Sequence, residues 1–192
     1  MNDLQSVKKS VAILLKNNID FSLLHTTNLY PTPHHLVRLG GMQELMSSFP
    51  EVPIGLSDHT IDNLSSYAAI SLGASIIERH YTDNYNRKGP DIVCSMDENS
   101  CRELIKNSRL IKSMLGGKKV PAEEEKVTID FAFATVVSIK KINKGEALSG
   151  NNIWVKRPGI GEIKAEFYKD LIGKKALRTI VNDTHLNWSD FE

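Results

Sequence analysis

Two histidines, His59 and His80, each close a short apolar run, and each has a polar residue two positions earlier, Ser57 and Glu78. Successive side chains on a strand point to opposite faces, so residues two apart share a face. Ser57 therefore points with His59, and Glu78 with His80. The separation, 80 − 59 = 21 residues, suits one strand–helix repeat. That spacing predicts the two histidines at equivalent ends of neighbouring parallel strands. Side-by-side neutral imidazoles are donors for a divalent metal, with a phosphate or carboxylate ligand and water completing the sphere. Glu78 can serve as an outer-sphere partner of His80 or a neighbouring group. Spacing alone also fits two ordinary strand-end histidines with hydrogen-bonded side chains.

Asn28 and Tyr30 end an earlier apolar run in the same phase. With Ser57 they offer neutral donors to an anionic phosphate or carboxylate; a satisfied turn before Pro31 is the competing reading. Asp91 lies in the polar loop Asn86–Asp91, where it can take the hydroxyls of a polyol or simply face water. Arg157, between Lys156 and Pro158-Gly159, is either a clamp for an anion or carbonyl or an exposed surface arginine.

The elements that must position these residues alternate. Leu4, Val7, Val11, Leu14 and Leu15 recur at helical spacing over 4–16. Residues 21–28 read as a buried strand, interrupted by Pro31 and Pro33. A helix carries Leu36, Leu39, Met42, Leu45 and Met46, with His34 and His35 at its start facing water. A strand follows at 53–57, then a helix over 62–70 that Gly73 ends in a left-handed cap. Residues 74–80 form the third strand, and a last helix covers 99–115. Alternation of this kind means a parallel sheet with helical crossovers, and polar strand ends suit the catalytic face of a (β/α)₈ barrel. A whole barrel takes about 250 residues, so three strand–helix units are an incomplete one. The predicted division is a barrel part over 1–117, a charged linker over 118–130 and a small β-rich domain over 131–192. The small domain has strands at 136–139 and 153–159, a turn at 143–146 and a short helix at 166–173. Trp154, Phe167, Tyr168 and Trp188 are its expected core.

Composition narrows the function class. In 192 residues, Lys+Arg 24 nearly balances Asp+Glu 23, which gives no basic footprint for nucleic acid or a membrane surface. The longest apolar runs, such as Val11–Leu15, are too short to span a bilayer. The start, Met1-Asn2-Asp3-Leu4, lacks the pattern of a secretory signal. Cys94 and Cys101 make neither a disulfide framework nor a zinc motif. A reduced, cytoplasmic protein is expected.

The segments His25–Pro33, Ile54–Thr60, Leu72–His80 and Arg87–Met96 closely resemble bacterial sialic acid synthases (N-acetylneuraminate synthases). The tail from Phe131 through Gly159 resembles their C-terminal antifreeze-like (SAF) domain. The resemblance implies an α/β fold, the C-terminal part of a (β/α)₈ TIM barrel followed by the SAF domain, in a homodimer with swapped SAF domains. It implies condensation of phosphoenolpyruvate with N-acetylmannosamine, releasing phosphate, with Mn²⁺ or another divalent ion such as Mg²⁺ or Co²⁺. By the same resemblance His59 and His80 are the metal ligands, and Asn28, Tyr30 and Ser57 contact phosphoenolpyruvate. Glu78 and Asp91 lie near the reacting centre and the sugar, and Arg157 reaches the partner's active site to touch the N-acetyl group. The family's earlier strands, with lysines that bind phosphoenolpyruvate, have no counterpart among these residues. The chain is therefore expected to be truncated and inactive or poorly folded alone. Legionaminic or pseudaminic acid synthase is the alternative activity, and a non-catalytic remnant with a sugar-binding or dimerising module is a third reading.

Overall fold

A computed structural model describes residues 1–192 as two units, Met1–Gly117 and Lys118–Glu192. In the first unit helix and strand alternate: α1 (Leu4–Lys16), β1 (Leu23–Thr26), α2 (Leu39–Ser48), β2 (Ile54–Asp58), α3 (Leu64–Ser71), β3 (Ile76–Arg79) and α4 (Glu98–Met114). Asp3 and Asp97 cap α1 and α4 by accepting from the amides of Ser6 and Ser100, each at 2.8 Å, which satisfies otherwise orphaned first-turn donors. After α3 the chain turns at Gly73 with φ +104, a conformation glycine adopts without steric cost.

The sheet is open and parallel, in the order β1-β2-β3. Thr26 lies opposite Ser57, Ser57 opposite Glu78, and Asp58 opposite Arg79. The 21-residue offset between the histidines is thus the register offset of β2 and β3. On the helix-covered side, Ile54 and Leu56 pack with Val37, Met42 and Ala69, and Leu23, Leu45, Met46 and Ile77 close around them. Thr26, Ser57 and Glu78 point to the other side. β1 is shorter than the strand expected over 21–28, because beyond Thr26 the backbone turns into a loop held by side chains. Likewise, the segment expected to enter the second helix directly forms a separate 3₁₀ turn, His34–Leu36, before α2.

In the second unit, the charged stretch 118–130 carries a 3₁₀ turn, Glu123–Glu125, and the start of α5 (Lys126–Ala132). Strands β4 (Thr135–Ser138) and β5 (Ile153–Lys156) pair antiparallel, with Val137 opposite Trp154, and α6 spans Tyr168–Leu171. The core is aliphatic: Val136, Ile142, Leu148, Ile153, Ile163, Leu171, Ile180 and Leu186 are buried together, with Phe191 beside them. Of the aromatic core expected from the sequence only Tyr168 packs against this cluster; Trp154, Phe167 and Trp188 do not belong to it. Trp154 and Trp188 are 52% and 43% exposed. The antiparallel pair alternates its faces, so Trp154 falls on the outer face, where it meets Tyr168 edge-on at 5.2 Å. Phe167 and Trp188 form a similar outer pair.

Candidate active site

The ends of β1, β2 and β3 bring Tyr30, His59, His80 and Asp91 together. The rings of His59 and His80 lie 5.1 Å apart, nearly perpendicular at 84°. Tyr30 stacks on His59 at 4.3 Å and meets His80 edge-on at 5.6 Å. Asp91 Oδ2 is 3.7 Å from His80 Nδ1, close enough to pair with it when the imidazole is protonated. Two residues back on the same faces, Ser57 donates to Glu78 Oε2. Glu78 itself is exposed, whereas His59 is buried.

Backbone groups fix these side chains. His59 Nδ1 lies 3.1 Å from the Thr27 carbonyl. A carbonyl only accepts, so Nδ1 carries the proton and Nε2 keeps its lone pair. The His59 carbonyl accepts from the Thr32 amide at 2.9 Å, and the His80 carbonyl from the Met96 amide at 2.9 Å. Thr32 Oγ1 donates to the carbonyls of Thr27 and Leu29, and Thr27 Oγ1 to that of Leu36. These bonds shape the 27–36 loop so that the ring of Tyr30 lies over His59. Asn28 is half-buried in this loop and makes no side-chain hydrogen bond to the cluster. Arg157 follows β5 in the second unit, exposed.

A metal fits this arrangement in its donor chemistry. His59 has one nitrogen anchored by a carbonyl and the other free, the usual arrangement of a ligating imidazole. No set of three or more His, Cys, Asp or Glu side chains converges to hold an ion unaided. Oxygen ligands from substrate or water would therefore have to complete the coordination of an ion held by His59 and His80.

Several residues that shape the site were not among those nominated from the sequence. Thr27 and Thr32 work through backbone carbonyls, for which sequence carries no pattern. Asp58 and Arg79, which immediately precede the two histidines, form a buried ion pair at 3.5 Å. Charges inside short apolar strands were the available signal, since such residues are almost never fully buried unless paired. Nearby, Asp62 accepts from the Leu64 amide and lies 3.2 Å from His34 Nε2. Partial burial pushes its carboxyl up, but that amide, His34 and Arg79 outweigh burial and hold it below its ordinary value of 3.8.

The first unit therefore presents imidazole, hydroxyl and carboxylate groups at the C-terminal ends of parallel strands, the side of such sheets where ligands bind. The family model described as the NeuB family matches residues 1–120 and that of the SAF domain matches residues 133–192; the chain belongs to the NeuB family. The N,N'-diacetyllegionaminic acid synthase of Campylobacter jejuni is 35% identical over 187 residues, 95% of this chain and 55% of that protein. The pseudaminic acid synthase of Helicobacter pylori is 36% identical over 177 residues, 92% of this chain and 52% of that protein. Among solved structures, the N-acetylneuraminic acid synthetase of Leptospira borgpetersenii superposes with a TM-score of 0.62 at 32% identity, covering 67% of this chain and 45% of that one. The chain spans about half the length of the curated relatives it matches. No helix is long and apolar enough to cross a membrane.

Proposed function

We propose that residues 1–192 supply part of the active site of a synthase that joins phosphoenolpyruvate to N-acetylmannosamine, giving N-acetylneuraminate and phosphate. The observation that carries this reading is the perpendicular pair His59–His80 under the Tyr30 ring, beside the Ser57–Glu78 pair. Membership of the NeuB family supports the reaction class.

In this reaction C3 of phosphoenolpyruvate attacks the aldehyde carbon of the open-chain sugar. Water adds at C2, and the C2–O bond to phosphate breaks; one water proton ends on the former aldehyde oxygen and the other leaves with phosphate. His59, through Nε2, and His80 would hold the divalent ion, Mn²⁺ first among candidates and Mg²⁺ or Co²⁺ after it. Such an ion supplies Lewis-acid polarisation of a carbonyl. Asn28 and Tyr30 are assigned to the enol ester's anionic groups, which they hold in line for attack, and Ser57 joins them when its hydroxyl turns from Glu78 to the ligand. Glu78 takes the Ser57 proton in a hydrogen bond at Oε2 and keeps Oε1 to accept a proton from the attacking water. Asp91 is assigned to a sugar hydroxyl, and Arg157 to the N-acetyl group across a swapped dimer. The remaining strands of the barrel, with the cations that neutralise phosphate, have to come from a segment outside these residues.

The alternative is a legionaminic or pseudaminic acid synthase, which the names of the Campylobacter and Helicobacter relatives favour. The test is to supply the rest of the barrel and incubate with phosphoenolpyruvate and N-acetylmannosamine. The reading predicts one phosphate per sugar acid, abolished by H59A or H80A, and no product from residues 1–192 alone. Turnover of a diamino sugar instead would select the alternative. Phosphoenolpyruvate left intact with both sugars would overturn the synthase reading.

A further inference from the structure

Directly behind the histidine pair, on the helix-covered face of the sheet, lies an ionic cross-link that the proposed chemistry does not use. Asp58 and Arg79 are adjacent in register, one residue before His59 and His80. Their side chains are 0% and 1% exposed. Asp58 Oδ1 accepts from the Thr60 amide at 2.9 Å, and Oδ2 accepts from Ser66 Oγ at 2.7 Å. Arg79 Nη2 donates to the Thr60 carbonyl at 2.7 Å, and Nη1 reaches Asn63 Oδ1 at 3.1 Å and the Asp62 carbonyl.

The consequence is geometric. Residues on both sides of His59, Asp58 and Thr60, are fastened to the residue that precedes His80. Rotation or translation of the His59 backbone relative to His80 therefore requires breaking at least one of these bonds. Buried ion pairs of this kind are weak sources of stability, and well-packed apolar residues often replace them without loss. Arg79 Nε, moreover, is buried without a partner, so the guanidinium is placed for its loop contacts rather than for its own full satisfaction.

We propose that Asp58 and Arg79 are positioning residues that set the placement of His59 relative to His80 and thereby keep His59 Nδ1 on the Thr27 carbonyl that fixes its tautomer. This rests on the metal-site reading for its purpose, but the placement itself can be measured without metal. The variants are R79K, which keeps the charge but loses the planar fork, and S66A, which removes one hydroxyl from Asp58. I54V, a core truncation on the same face, is the control for a general loss of stability.

Imidazole ¹⁵N resonances report the His59 tautomer, and Mn²⁺ titration reports affinity, both on the full chain. The expectation is that His59 is protonated at Nδ1 in the parent chain and in I54V, and becomes a mixture in R79K. Mn²⁺ affinity should fall by about tenfold or more in R79K, the scale of outer-sphere losses at metal sites, and less in S66A. If the parent chain binds no Mn²⁺, the metal reading fails and the tautomer alone decides the positioning role. If R79K does not fold, S66A decides with the same two readouts. Tautomer and affinity unchanged in the folded variants, or moved equally by I54V, would overturn the proposal.

Discussion

Gly55 is the position at which a single methyl group should do most damage to the site. It lies in the middle of β2, opposite Leu24 on one side and Ile76 on the other. A Cβ built there would come within 2.2 Å of the Ile76 carbonyl oxygen, 2.7 Å of Leu24 Cδ2 and 2.8 Å of Ile76 Cβ, where 3.4 Å begins ordinary contact. Leu24 can rotate away. The Ile76 backbone cannot, so β2 and β3 must separate by up to 3.4 − 2.2 = 1.2 Å, about a quarter of the usual ~4.8 Å strand spacing. Overpacking typically costs about 1–3 kcal/mol, and a clash against backbone belongs at the top of that range. Against a total stability of about 5–15 kcal/mol, G55A should lose ~3 kcal/mol, roughly 10 °C in Tm. The same displacement separates Ser57 from Glu78 and His59 from His80. Urea denaturation followed by circular dichroism measures the loss, and amide exchange along β3 locates it. A G55A chain within about 0.5 kcal/mol of the parent, with β3 equally protected, would refute the strand contacts on which the site depends.

Other expectations concern the second unit and the thiols. The Asn143 amide holds the Glu146 carboxyl below its ordinary 4.5, and the Lys156 ammonium, 2.5 Å away, holds Asp183 below 3.8. Depressed carboxyl values mean that the unfolded chain binds more protons in acid. This contribution is therefore fully present above about pH 4.5 and is lost as pH falls through the folded values. Carboxyl ¹³C titration should place both midpoints below the ordinary values, with K156M returning Asp183 towards 3.8; a Glu146 midpoint at or above 4.5 contradicts the contact. Cys94 is fully buried and burial pushes its thiol up, whereas Cys101 is half-buried. Iodoacetamide should modify Cys101 first in the native chain, and equal labelling of the two cysteines would count against the packing around the Ile92–Cys94 turn.

Much of the sheet was legible in the sequence because its signals are local. Gly73 ends α3, prolines bound the loop after β1, and the 21-residue spacing of the histidines is also the register offset. Two features were not legible. The aromatic residues of the second unit have the composition of a core, but only the pairing of β4 with β5 shows that Trp154 faces outward while Ile153 faces in. At the site, Tyr30, His59 and His80 could be nominated by type and phase, and Asp91 by its type in a polar loop. The groups that hold His59 and the loop carrying Tyr30 are backbone carbonyls of Thr27, Leu29 and Leu36, which every residue possesses. Asp58 and Arg79 were visible as charges within strands. Their meeting behind the histidines depends on which face of each strand the helices cover.

His59 and His80 are proposed to hold one metal ion between them. Electron paramagnetic resonance of Mn²⁺ titrated into the full chain, into H59A and into H80A reads this pairing, with circular dichroism confirming the fold of each. Two imidazoles sharing one ion require binding in the parent chain that either single substitution abolishes. Mn²⁺ binding that survives both substitutions, or no binding by the parent chain with or without phosphoenolpyruvate, would contradict it.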